Sequence, residues 1–422
     1  MLSARPATRT DKTTRLGKHT LIGVLAGLLL ICSPRTWAVE APLAWDKPAF
    51  SLHGFGTLGI SRTDQSDNAE YVRDLSQARG AGSNWTGKVD SLLGIQANYQ
   101  FGPRTEGVLQ AITRHHGEEG YDPELTWAFL RHEVLPDMSL RVGRLGTEFY
   151  MLGDTRLVGY SNISMRPPPD FYGTLIFSYI DGIDVSATRP LATGLLSGKL
   201  FAGISPEQVP FSPGLTWNLR GTKLLGGYLE YRNGAWQLRY SQARSRFKHK
   251  LPTDELLGFA YLAQVPEMDM AGQWARFDSI GLVHDDGPLN IQLMLNRIKQ
   301  DSPAYEDSRA GYLLAAYRLG DFTPYLGFSR SLTGSEALPL TGDPMPNLAD
   351  SATPSLVAQT QVDQHSYTLG GRWDIRRNLA LKAQLDWIRG APEATFLFKF
   401  KTGDKRWDGD MTVYSLALDF VF

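Results

Sequence analysis

The chain has one cysteine among 422 residues, Cys32, and no apolar stretch long enough to cross a bilayer as a helix. Its longest apolar run, Leu21 to Ile31, is about half the ~20 residues such a helix needs. No disulfide can staple residues 39–422, which contain no cysteine at all. Basic excess is also missing, with 43 Lys and Arg against 44 Asp and Glu. Six of those cations and one of those acids lie in residues 1–38, so the remainder carries a net charge of −6. Nucleic-acid binding therefore has no electrostatic footprint. There is no Gly-x-Ser-x-Gly, no paired zinc-ligand motif and no phosphate-cradling loop, so no catalytic residue, metal or cofactor is expected. His115 and His116 stand near Glu118, Glu119 and Asp122, but adjacent residues at a strand end point to opposite faces. A solvated loop is the simpler account.

What the chain does have is glycine (42 residues), aromatic side chains (11%) and a mean hydropathy of −0.24. That hydropathy would suit a soluble protein. It suits a membrane barrel equally, because only alternate residues of each strand must face lipid. Residues 1–38 read as a secretory signal. Arg5, Arg9, Lys12, Arg15 and Lys18 form a basic leader, Leu21 to Ile31 the apolar segment, and Thr36-Trp37-Ala38 a cleavage site.

From residue 39 onward the dominant pattern is strict alternation. In the final stretch Tyr414, Leu416, Leu418, Phe420 and Phe422 fall on one face, with Val413, Ser415, Ala417, Asp419 and Val421 on the other. Sixteen such segments are expected near 50–61, 88–100, 105–116, 123–133, 138–146, 178–188, 195–204, 222–232, 235–247, 272–284, 288–299, 309–319, 322–332, 365–375, 379–389 and 411–422. Connections alternate between tight turns, such as Asn233-Gly234 and Gly320-Asp321, and long loops such as 62–87, 147–177 and 333–364. Asn-Gly favours a tight hairpin because both central residues need positive φ. Facing a charge into lipid at mid-membrane costs about 2–4 kcal/mol, so the charged face of each segment is assigned to the lumen. Segments 123–133 and 272–284 do not divide cleanly into two faces. The fold class is all-β, a closed transmembrane antiparallel β-barrel. Eighteen strands remain open if a long loop hides a hairpin.

The terminal Phe422, the strand count and the opening strand Phe50-Ser51-Leu52-His53-Gly54-Phe55-Gly56 resemble the trimeric general porins of Gram-negative outer membranes. The resemblance implies a signal peptide at 1–38 and a porin barrel at 39–422 in the cell outer membrane. It makes Tyr414, Leu416, Leu418, Phe420 and Phe422 the barrel-assembly signal. It also implies a homotrimer, contact with outer-membrane lipids and lipopolysaccharide, and help from periplasmic chaperones and barrel-assembly machinery. The third long loop, 147–177, would fold inward and constrict the channel. Loop charges Glu148, Asp154, Arg156, Arg166 and Asp170 would then face wall cations Lys88, Arg114 and Arg141, with Arg144 joining if the strand bulges at Gly143. Pro167, Pro168 and Pro169 would stiffen the loop. The family's short acidic-Phe-Gly motif is missing from it. The function implied is passive diffusion of small hydrophilic solutes, the alternatives being a sugar- or organic-acid-specific channel and, remotely, a barrel enzyme.

Overall fold

The computed structural model describes residues 49–65, 68–117, 120–212, 214–252, 270–302, 307–334, 361–401 and 407–422. The segment read as a signal, 1–38, lies outside the described residues, as do Glu118 and Glu119. Sixteen strands close into one barrel. They are β1 (Phe50–Thr63), β2 (Leu92–Gly102), β3 (Thr105–Arg114), β4 (Glu124–Leu135), β5 (Met138–Gly146), β6 (Tyr179–Leu191), β7 (Gly194–Ile204) and β8 (Lys223–Asn233). The second half is β9 (Trp236–Arg246), β10 (Trp274–Asp286), β11 (Leu289–Gln300), β12 (Ser308–Tyr317), β13 (Phe322–Thr333), β14 (Asp363–Arg376), β15 (Leu379–Gly390) and β16 (Asp410–Val421). Each strand pairs antiparallel with its neighbours in sequence, and β16 returns to β1. The connection 205–222 does hide a hairpin, Gln208–Ser212 with Leu215–Asn218, but it forms its own two-stranded sheet. A second small sheet joins Ala69–Tyr71 to Phe398–Phe400 from another long connection.

Alternation explains the strands. Outward residues such as Leu93, Ile95, Leu293, Leu295, Tyr367, Leu369, Tyr414 and Leu416 are exposed, while the residues between them are covered. The seam closes with Gly54 and Phe422 exchanging backbone bonds of 2.8 and 2.9 Å. Glycine is needed there. A Cβ at Gly54 would sit 2.1 Å from the Phe422 ring, and one at Gly56 would sit 2.5 Å from the Phe420 ring. The tight turns use positive φ at Gly234, Gly287 and Gly320.

The two segments with indistinct faces have separate causes. In β4 the register shifts between Gln110, paired with Trp127, and Ala111, paired with Leu125. Thr126 is the extra residue, its hydroxyl donating to the Gln110 side chain at 2.9 Å, and the bulge breaks the alternation. In β10 the polarity inverts along the strand. Ala275 and Phe277 are buried inside the barrel in an apolar cluster, whereas Arg276 between them and Asp278 just after them point outward. The rule that every charged face is the lumen thus fails near the long-loop ends of β9 to β12. These positions lie beyond the apolar band, where a charge does not meet hydrocarbon.

Candidate functional site

Residues 147–178 lie inside the barrel and touch its wall on several sides. Phe149 stacks on Phe201 of β7 and packs on Phe277 of β10. Leu157 packs with Phe55, Leu92 and Ile112 from β1 to β3. The single turn Gly159–Ser161 abuts β1 and β16, with the Tyr160 hydroxyl reaching the Arg377 carbonyl at a short turn. The chain then runs back along β15 and β13, where the Met165 amide donates to the Gln384 side chain at 2.9 Å. Pro168 and Pro169 start the four-residue helix Pro169–Tyr172, as proline permits at a first helical turn. Phe171 and Tyr172 meet Tyr312 of β12. The loop thus crosses the lumen rather than lining one side of it.

Four sets of charges fix this path. Arg166 is wholly buried and donates to Asp90 at 2.8 and 2.7 Å, to Asp386 at 3.3 Å and to the Tyr71 hydroxyl at 3.1 Å. One guanidinium therefore ties the loop to β15, to the turn before β2 and to the first long connection. Its planar fork matches the Asp90 carboxylate bidentately. Lys382 of β15 donates to loop carbonyls of Gly159, Asn162 and Ser164 at 2.7, 2.6 and 3.1 Å and pairs with Asp419 at 2.9 Å. Arg372 adds bonds to the Tyr160 and Asn162 carbonyls at 2.7 and 2.9 Å. These two cations catch loop backbone, not loop side chains. Asp170 accepts from Ser329 and Gln364 on β13 and β14.

The fourth set lies where the loop leaves β5. Glu148 accepts from Lys199 of β7 and from Arg141 of β5 at 3.3 Å, with Arg239 of β9 at 3.9 Å. Arg141 also holds Asp184 at 3.0 Å, and Arg239 holds Glu230 at 2.7 Å. Asp154 stays exposed to the lumen. Nearer the long-loop end, Arg114 pairs with Asp74 at 3.2 Å, and Arg156 donates to the Ser178 hydroxyl at 2.8 Å. Burial raises the Asp74 carboxyl, but Arg114 and Arg156 beside it outweigh burial and hold it below the usual range.

Arg144 is not in this assembly. The register at Gly143 is continuous, so no bulge turns the side chain inward. Leu145 is buried inside, and Arg144 points out through the wall onto Asp181 at 2.7 Å. Lys88 sits in the turn before β2, half-exposed, rather than on a strand. The sequence pattern alone does not mark Asp90, Lys199, Arg239, Arg372, Lys382 and Asp386 as site residues. Lys382, Gln384, Asp386 and Arg372 carry the lumen parity in sequence, but parity does not name a partner on a distant loop. Among the described residues no cluster of His, Cys, Asp and Glu could hold a metal ion.

No protein-family model matches this chain, and no curated protein matches it by sequence. Solved structures do match. OmpT, an outer membrane protein of Vibrio cholerae in its trimer form, is 14% identical over 89% of this chain and 100% of its own, with a TM-score of 0.54. The anion-selective porin of Comamonas acidovorans is 13% identical over 88% and 99%, with a TM-score of 0.53. OmpF of Salmonella typhi, in complex with daunomycin, is 12% identical over 88% and 97%, with a TM-score of 0.54. At these identities the likeness establishes the fold, a sixteen-stranded barrel of the porin type.

Proposed function

We propose that the protein is an outer-membrane porin, a water-filled channel for passive diffusion of small hydrophilic solutes and ions, and not an enzyme. The carrying observation is the division of the wall. An exposed apolar band covers the outer face through mid-strand, while Arg141, Lys199, Arg239, Glu148 and Asp184 gather inside. Charged side chains held in a closed barrel are how such pores act on ions. The loop 147–177 is the constriction in this reading. Glu148, Asp154, Arg156, Arg166, Asp170, Arg114 and Arg141 belong to it, with Lys88 at its upper edge. Residues 1–38 are the export signal, and the residues from Tyr414 to Phe422 address the chain to the assembly machinery. Three copies form the working unit, a proposal supported by the trimer form of the Vibrio protein with the same fold.

Planar-bilayer recording tests the reading. The purified protein should insert in discrete conductance steps that rise with salt without saturating. Block by one sugar or organic acid at low concentration would point instead to a specific channel. Absence of any conductance from correctly folded protein would overturn the proposal.

A further inference from the structure

The two halves of the lumen differ. Near the short turns the inward-facing residues His53, Gln96, Ser139, Ser186, Gln237 and Thr368 are reached by solvent. Toward the long loops the inward-facing residues of the same wall are covered, among them Thr63 of β1, Arg114 of β3, Ser245 of β9 and Ser331 of β13. Part of what covers them is a folded cap. Ala69–Tyr71, after β1, pairs with Phe398–Phe400, before β16, and all six residues are buried. Tyr71, Phe398 and Phe400 pack with Trp407 against Ile388, Met411 and Val413, which lie on the lumen face of β15 and β16. Three bonds seat this cap and the chain beside it on the loop 147–177. Arg166 donates to the Tyr71 hydroxyl at 3.1 Å, the Arg73 guanidinium donates to the Arg156 carbonyl, and the Leu75 amide donates to the Gly173 carbonyl at 3.3 Å. A fourth bond crosses the mouth. Lys399, only 7% exposed, donates to the Pro210 carbonyl at 2.9 Å. Pro210 belongs to the hairpin between β7 and β8, half the ring of strands away from β15 and β16.

We propose that this cap is a gate, shut in this conformation over the long-loop mouth, whose two strands part to admit solute. Each strand contributes three residues, and a two-stranded sheet is marginal by itself. The strands are rooted in different hairpins of the wall, β1–β2 and β15–β16, so they separate without breaking the barrel ladder. The apolar contacts with Ile388, Met411 and Val413 hold the gate down, and Lys399 is its latch on the far side. Elements that move in this way come from the least stable part of a fold. Entry from the long-loop side is then set by the gate, and not by the constriction alone. The proposal rests on the porin reading above for the passage that the gate controls.

The test uses the full-length protein carrying C32S, refolded and inserted in planar bilayers. Ala69 and Phe400 are directly opposite across the two strands, at the Cα spacing of about 4.5–5.5 Å that a disulfide accepts. In A69C/F400C, oxidation should cut single-channel conductance at least fivefold, and a reductant should restore it. The variant F398S/F400S removes the apolar contacts beneath the cap, and its open dwell times should lengthen at least fivefold. A V413C reporter under the cap should react with a soluble thiol reagent at least tenfold faster in that background than without it. This second arm decides the matter if A69C/F400C does not fold. Heat-modifiable gel mobility of F398S/F400S should match wild type, since the cap lies outside the sixteen-strand ladder. Equal conductance of the oxidised and reduced forms, with the bond verified by intact mass, would overturn the gate. Unchanged V413C labelling in F398S/F400S would overturn it too. A channel that conducts steadily and ignores the cross-link would sink this inference alone. Silence from wild type, reduced A69C/F400C and F398S/F400S alike would sink the porin reading with it.

Discussion

Replacing Arg166 by methionine should release the loop from the wall without dismantling the barrel. The guanidinium has no exposed surface, and it bridges Asp90 and Asp386 while also reaching Tyr71. The substitution would leave Asp90 with the Ser61 hydroxyl at 2.9 Å and Asp386 with Thr368 and Gln384 at 2.7 and 2.9 Å. Removing one partner of a buried ion pair costs about 3–5 kcal/mol. The barrel ladder does not run through Arg166, so the least costly response is for residues near 160–170 to move and let water reach the two carboxylates. Single-channel conductance should then rise. Because residues 39–422 contain no cysteine, an S164C reporter can follow the same event, and a soluble thiol reagent should label it at least tenfold faster in the R166M background. Adding D90N and D386N should recover much of the lost stability, since no buried charge remains, yet labelling should stay fast because the anchor is still missing. Wild-type conductance and slow S164C labelling in R166M would refute the reasoning and leave Lys382 and Arg372 as the true anchors.

Asp154 is the loop carboxylate open to water, so D154K should move the reversal potential in a salt gradient toward anion preference. A shift of roughly two- to threefold in the permeability ratio is expected in 0.1 M salt, shrinking at 1 M where the screening length falls to about 3 Å. Gly143 has φ of 132°, and a Cβ there would sit 2.2 Å from the Ala128 carbonyl oxygen. G143A should therefore cost about 2–5 kcal/mol and show as loss of heat-modifiable mobility. Glu207, in the connection after β7, is pushed up to about 8 by burial, although the Ser178 amide at 2.8 Å and the Tyr179 amide both donate to it. The folded chain thus holds a proton that an unfolded Glu releases near 4.5. Stability should fall as pH rises between those values, by up to about 1.4 kcal/mol per pH unit, and stay flat above them. E207Q should flatten that slope in thermal melts; an unchanged slope would exclude Glu207 as its source.

The barrel was legible in the chain alone. Each membrane-crossing strand is a local object whose two faces alternate with period two, so Leu293, Leu295, Tyr414 and Leu416 announced their environment without reference to any partner. Turn residues such as Gly234 and Gly320 then marked where the chain reverses, and neighbour-to-neighbour pairing left no topology to choose. The two indistinct segments failed for reasons a single strand cannot encode, a bulge at Thr126 and an interior that turns apolar around Phe277. The charges of the loop were visible, but their partners were not. Arg166 meets Asp386 across 220 residues, and Lys382 catches carbonyls 218 to 223 residues away. Only the closed cylinder brings those strands around the loop. Desolvation inside it makes each buried charge costly unless a partner is present, and that requirement, rather than any pattern in the chain, fixed where the loop lies.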